Sequence, residues 1–86
     1  MWALELRLWE TPERLAARPA HRELLGRLHQ EGKIKMAGPY ADGTGALVLF
    51  DVEDKAEADD LIASDPYYAT DGVEIASVHE WNPLFG

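Results

Sequence analysis

The chain has 86 residues, 47% of them hydrophobic and 28% charged, with a formal net charge of −8 and no cysteine. A length of this order makes one domain, residues 1–86, with a thin core, because folding then buries only about 60–65% of the unfolded chain's surface. The composition excludes several classes of function: no apolar run approaches the roughly 20 residues of a membrane span, thiol chemistry and disulfides have no residue to use, and scattered cations in an acidic chain oppose a phosphate backbone.

We therefore expect a cytoplasmic protein with no nucleic-acid and no membrane partner. Met1-Trp2-Ala3-Leu4-Glu5 has no basic segment ahead of an apolar one, so no secretory signal is expected.

Residues 2–9 alternate, with Trp2, Leu4, Leu6 and Leu8 on one face and Ala3, Glu5, Arg7 and Trp9 on the other, which is the period of a strand. Glu5 and Arg7 share a face; they pair if it is covered and stay solvated if it is not. Thr11 caps a short helical turn that has Pro12 at its first position. Pro19 disfavours the α conformation at Arg18, so the sequence predicts a break or kink there, with a helix restarting at Pro19 and running to about Gln30. Gly32 follows as a left-handed cap. In this reading Arg18-Pro19-Ala20-His21 places an imidazole in a helix's first turn, heading the apolar stripe Leu24, Leu25 and Leu28. A histidine there either packs structurally or serves a site.

A second strand is predicted over residues 33–40, interrupted at Gly38-Pro39; proline cannot donate to a ladder, so this strand belongs at an edge or ends in a bulge. Residues 41–45, with Asp42-Gly43, form a hairpin connection. They are no phosphate loop, because they lead into a strand and not into a helix. The third strand, 46–52, carries Ala46, Val48, Phe50 and Val52 on one face and Leu47 and Leu49 on the other, so both faces should be covered. Asp54 and Glu57 have the spacing of a capping box, and Ala58, Leu61 and Ile62 form the buried stripe of a second helix. The next step of that stripe is Asp65, just ahead of the helix-ending Pro66. Residues 67–72 read as a loop or short turn beside the expected cleft, with Tyr67 preferred to Tyr68 as a lining residue. A last strand spans 73–81, with Val73, Ile75 and Ser77 opposite Ala76 and Val78. The tail, 82–86, should lie on something, since it carries Leu84 and Phe85.

The order β-α-β-β-α-β predicts an α+β, ferredoxin-like sandwich: a four-stranded antiparallel sheet, first and third strands central, both helices on one face. The uncovered apolar face then predicts a homodimer or higher assembly.

Arg18-Pro19-Ala20-His21, Ala37-Gly38-Pro39 and Asp65-Pro66-Tyr67, in that order and spanning nearly the whole chain, resemble the YCII-related family. The resemblance implies a dimeric α+β barrel of two ferredoxin-like protomers, related to muconolactone-isomerase-like proteins. It also implies a His and Asp pair in a cleft, here His21 and Asp65. Dehydrochlorination of chlorinated hydroquinones is among the activities of that family, but nothing in this chain selects such a substrate.

The residues agree with the resemblance at one point, since His21 and Asp65 each extend the apolar stripe of their own helix toward the sheet. Burying either alone would cost several kcal/mol, so they bond to each other or line a polar cavity. The carboxylate of such a pair fixes the imidazole tautomer and leaves the second nitrogen as a general base, while a helix N-terminus beside His21 would oppose positive charge on it. We expect His21 and Asp65 to be catalytic, and Gly38, Pro39 and Tyr67 to bind substrate. The expected activity is that of a cofactor-free lyase, isomerase or hydrolase on a small aromatic or oxygenated molecule. The alternative is a non-catalytic small-molecule-binding or oligomerising module. No metal is expected, as His29 and His79 lack partners at ligand spacing. The acidic residues 51–54 with Asp59 and Asp60 read as a solvated helix start.

Overall fold

In the computed structural model, which describes residues 1–86, the alternating N-terminal residues form β1 (Trp2–Leu8). There follow α1 (Pro12–Gln30), β2 (Ile34–Pro39), β3 (Gly45–Phe50), α2 (Lys55–Ala63), a 3-10 turn (Pro66–Ala69) and β4 (Val73–Glu80). The strands make one antiparallel sheet in the order β2-β3-β1-β4, so β1 and β3 are central as expected. Leu4 and Leu6 of β1 and Val48 and Phe50 of β3 lose nearly all their exposure. Leu28 of α1, Ala58 of α2 and both tyrosines of the 3-10 turn join the same cluster, so both helices cover one face of the sheet.

The sheet is not a barrel. β2 and β4 are free edges that pair only inward, with β3 and β1 respectively, and this overturns the α+β barrel that the family resemblance implied. What stands is an α+β fold with an open four-stranded sheet and two helices.

α1 does not break. It runs continuously through Arg18 and Pro19 for 19 residues, with Arg14, His21 and Leu28 buried along it. Pro19 removes the donor to the Leu15 carbonyl, but both residues lie on the exposed side, where solvent can take that carbonyl. Burial on both sides of Pro19 outweighs its local preference. Consequently His21 is in the middle of the helix, and the helix start at Thr11, whose hydroxyl accepts the Arg14 amide at 3.1 Å, is more than two turns away. The N-terminal influence expected on the imidazole therefore falls away, since it fades within a turn.

Other departures are local. Asp54 is the N-cap of α2 without a side-chain cap bond, and the Glu57 carboxylate that would close the box accepts from Lys33 at 2.7 Å instead. Pairing in β2 continues through Gly38 and Pro39, opposite Leu47 and Ala46, and the irregularity lies instead between Ile34 and Met36. An edge strand tolerates this proline because its missing donor can point away from the ladder. In β4 the register shifts so that Ser77 faces Glu5 and Ile75 faces Leu6, which leaves Ala76 as an extra residue. That shift resets the alternation: Val73 and Val78, expected on opposite faces, both pack on the core. Glu5 and Arg7 do not pair with each other. Glu5 accepts the Tyr40 hydroxyl, and Arg7 lies 3.8 Å from Glu74.

The second face of the sheet stays partly open, with Met36 and Leu47 exposed. Leu84 and Phe85 are 91% and 92% exposed, so the tail rests on nothing in this chain. No helix is long and apolar enough to cross a membrane.

Candidate functional site

The site grows from Asp65. Pro66 opens the 3-10 turn with its φ already suited to it, and Asp65 caps that turn by accepting the Tyr67 amide on Oδ1 at 3.0 Å. The other carboxylate oxygen, Oδ2, lies 2.6 Å from Nδ1 of His21. Both oxygens of a residue only 6% exposed therefore have hydrogen-bond partners. The Tyr67 ring stacks on the imidazole with centroids 3.9 Å apart and planes 9° from parallel. Tyr68 meets it edge-on at 5.4 Å. Burial, then the charge of Asp65, pushes the Tyr68 hydroxyl well above the usual tyrosine range.

His21 itself is 8% exposed, and its two nitrogens differ. Nδ1 donates to Asp65, which in the neutral ring makes Nε2 the acceptor. Every sealed side-chain nitrogen or oxygen in the chain has a hydrogen-bond partner, so Nε2, which has none, opens to solvent. The imidazole is thus fixed in tautomer and plane, with one basic lone pair uncommitted.

A cleft of about 480 Å³ lies beside it, between α1 and the helix-covered face of the sheet. Its floor is Leu6, Leu8, Ala46 and Val48; its α1 wall is Arg14, Arg18, His21 and Arg22; Gly38, Pro39, Asp42 and Gly43 stand at its β2–β3 side. Tyr67 lines it as well, whereas Tyr68 borders a separate hollow with Trp9 and Gly72. The structure therefore brings His21, Gly38, Pro39 and Tyr67 together on one cavity. Asp65 does not reach that cavity; it sits behind the imidazole, on a smaller groove with Ala20 and Leu24. Gly38 is not forced by crowding, since a Cβ there would meet nothing within 4 Å.

The sequence reading assigned none of the three arginines of this wall to a site. Arg14 is 7% exposed, and its guanidinium donates from Nε to the Trp9 carbonyl at 2.7 Å and from Nη1 to the Tyr67 hydroxyl at 3.3 Å. It thereby holds Tyr67, which in turn holds His21. The signal was present: Arg14, Arg18, His21, Arg22 and Leu25 recur at helical spacing. Taking Pro19 as a helix start hid it.

The model of the YCII-related domain matches residues 3–82. The protein YciI of Escherichia coli is 34% identical over 83 residues, covering 85% of each chain. The protein YjpA of Bacillus subtilis is 34% identical over 61 residues, covering 71% of each. Among solved structures, 5-chloro-2-hydroxyhydroquinone dehydrochlorinase from Burkholderia phenoliruptrix AC1100, in complex with 2,5-dihydroxybenzoquinone, superposes with a TM-score of 0.61 over 95% of this chain and 94% of that one. At 19% identity this last likeness is one of fold. The domain match takes in the three segments that carried the resemblance, the helix with Pro19 and His21, the Gly38-Pro39 strand and the Asp65-Pro66 turn, and with it the chain belongs to the YCII-related family.

Proposed function

We propose that this YCII-related protein is a cofactor-independent enzyme in which His21 moves a proton on a small, oxygenated, ring-sized molecule held in the cleft. The observation that carries the reading is the division of labour on one imidazole: Nδ1 is held by Asp65 at 2.6 Å, while Nε2 has no partner and the ring lines a cavity. A base so oriented takes a proton at Nε2 and becomes an imidazolium stabilised by the carboxylate behind it. Returning that proton elsewhere on the same molecule gives an isomerase, and delivering it to a departing group gives a lyase. Gly38, Pro39 and Tyr67 shape the space for the ring. The fold relative solved with a hydroxylated quinone supports the same class of ligand. The test is to incubate small enolisable and hydroxylated ring compounds with the protein in deuterated water and follow exchange or turnover by NMR. His21→Asn keeps size and a polar contact but cannot carry the proton. Turnover should fall by about 10²–10⁴-fold with the fold intact; turnover unchanged in His21→Asn would refute the proposal.

The burial of both partners favours one competing reading, in which the pair only rigidifies a binding pocket. In that case His21→Asn lowers the melting temperature and leaves ligand binding in place.

The same proposal has the protein act in the cytoplasm as a homodimer. Register puts Met36 and Ala3 on either side of Leu49, with Leu47 beside them, on the sheet face that the helices leave free. An 86-residue domain gains much from covering such a face. Light scattering over a dilution series should show twice the chain mass; a well-folded monomer at micromolar concentration removes the dimer.

A further inference from the structure

α1 carries Arg14, Arg18 and Arg22 four residues apart, so one edge of the helix presents a guanidinium on each successive turn, and all three line the cleft. That is three of only eight lysines and arginines in a chain whose net charge is −8. Like charges at this spacing destabilise a helix, so the row needs anionic or dipolar partners. Arg14 has them, in the Trp9 carbonyl and the Tyr67 hydroxyl. Arg18 and Arg22 do not. The chain's ion pairs join Arg7 to Glu74, Lys33 to Glu57 and Lys55 to Asp59, Asp65 is taken by His21, and none of these contacts reaches either side chain. Arg18 is moreover half-buried, which makes an unpaired guanidinium less well hydrated.

Two carboxylates also line the cleft. Asp42 is engaged by the amide of Thr44 at 3.0 Å and by its hydroxyl at 2.7 Å, within the β2–β3 turn. Three guanidiniums thus face two carboxylates, and the cleft keeps an excess of positive charge on its α1 wall. Beneath it the floor of Leu6, Leu8, Ala46 and Val48 is wholly apolar. A cavity of about 480 Å³ is of the size that takes a small molecule.

We infer that the cleft takes a small organic anion, whose carboxylate or ionised phenol is held by Arg18 and Arg22 while its apolar body lies on Leu6, Leu8, Ala46 and Val48 beside His21. A planar guanidinium suits such a group because it donates two parallel hydrogen bonds to it. The inference rests on the acid–base reading for the fate of the bound anion, although the anion site itself is defined by the two arginines and the floor.

The probes are benzoate, phenylacetate and 2-hydroxybenzoate, with benzamide as the uncharged counterpart of benzoate, each titrated into the isotope-labelled full chain and followed by NMR at the arginine side chains and the His21 ring. At least one carboxylate should bind saturably, shift Arg18, Arg22 and His21 signals, and weaken as salt is raised. Benzamide should bind at least about tenfold more weakly than benzoate, and Arg18→Gln with Arg22→Gln should cost the bound carboxylate about tenfold or more. Saturable binding by none of the three, equal affinity for benzamide and benzoate, or carboxylate affinity unchanged in the double variant would each overturn the inference. His21→Asn separates the two proposals. If it keeps carboxylate binding but loses turnover, both stand; if it keeps binding and turnover alike, the acid–base reading fails and the anion site stands.

Discussion

Two side-chain contacts of nearly the same length tie distant parts of this chain together, and they do different things. His21 and Asp65 meet at 2.6 Å with their side chains 9% and 5% exposed; Lys33 and Glu57 meet at 2.7 Å with theirs 42% and 43% exposed. Each joins a segment of the first half to one of the second. In the first pair water is excluded and the carboxylate also caps a turn, so neither partner can leave without stranding the other. In the second both groups remain hydrated when apart, and the gain from contact is small. The hydrogen bond that Lys33 donates to Glu57, and then the charge of that carboxylate, raise Lys33 above the ordinary lysine range. That shift lies far above neutral pH and changes nothing about the lysine's charge there. Contact distance does not rank these pairs; desolvation does.

The largest effect that would sharpen the contrast is chemical. His21→Asn should remove proton transfer by about 10²–10⁴-fold under the proposed function, whereas Glu57→Gln, at the exposed pair, should leave turnover as it was. Loss of turnover in both would mean that activity tracks general stability and not the imidazole.

Stability gives the next test. Asp65→Ala leaves Nδ1 of His21 without its acceptor and the Tyr67 amide without its cap. An unpaired buried donor costs about 1–3 kcal/mol and a lost cap about 1, so denaturant melts should show a loss of about 2–4 kcal/mol. A loss below about 0.5 kcal/mol would place the pair in the same class as surface ion pairs.

How far this contrast could be read from sequence depends on what each residue needed. The strands were legible because alternation such as Trp2, Leu4, Leu6 and Leu8 is a local signal with one buried face. His21 and Asp65 were legible because each continued an apolar stripe. Arg14 was not, because reading it required α1 to pass through Pro19, and what holds the helix there is burial of Arg14, His21 and Leu28 against elements far away in sequence. The extra residue at Ala76 is equally invisible locally, since only its pairing with β1 reveals it. Glu57 had the spacing of a cap residue and was taken instead by a lysine 24 positions earlier. The implied barrel failed for a different reason: it came from the resemblance, and the four strands of this chain form an open sheet.

Tyr68 extends the comparison to pH. Its hydroxyl is pushed up first by burial and then by the negative charge of Asp65, the same charge that His21 engages. The folded chain therefore favours the neutral phenol more than the unfolded chain does. That preference contributes fully below the ordinary tyrosine value of about 10 and is lost as pH rises beyond it toward the folded value. Denaturant midpoints should accordingly fall on the alkaline side of about pH 10, and fall less in Tyr68→Phe, which gives up no hydrogen bond formed by its hydroxyl. Tyr40, raised chiefly by its bond to Glu5 and lying on the other face of the sheet, is the control. Identical alkaline curves for the parent and Tyr68→Phe would remove burial as the source of the shift.

The smallest effect belongs to the exposed pair. Lys33→Met keeps much of the aliphatic length along the end of β2 and removes only the charge, so the melting temperature should stay close to that of the parent at physiological salt. Whatever difference appears at low salt should vanish as the ionic strength is raised, because both groups lie within reach of screening counterions. The buried pair should ignore salt by the same reasoning, since ions cannot enter between an imidazole stacked on Tyr67 and a carboxylate closed in by the 3-10 turn. A Lys33→Met destabilisation that persists undiminished in high salt would mean that Lys33 acts through packing at the junction of α1, β2 and α2 and not through its charge. In that event the two pairs would differ in what surrounds them but not in their structural role.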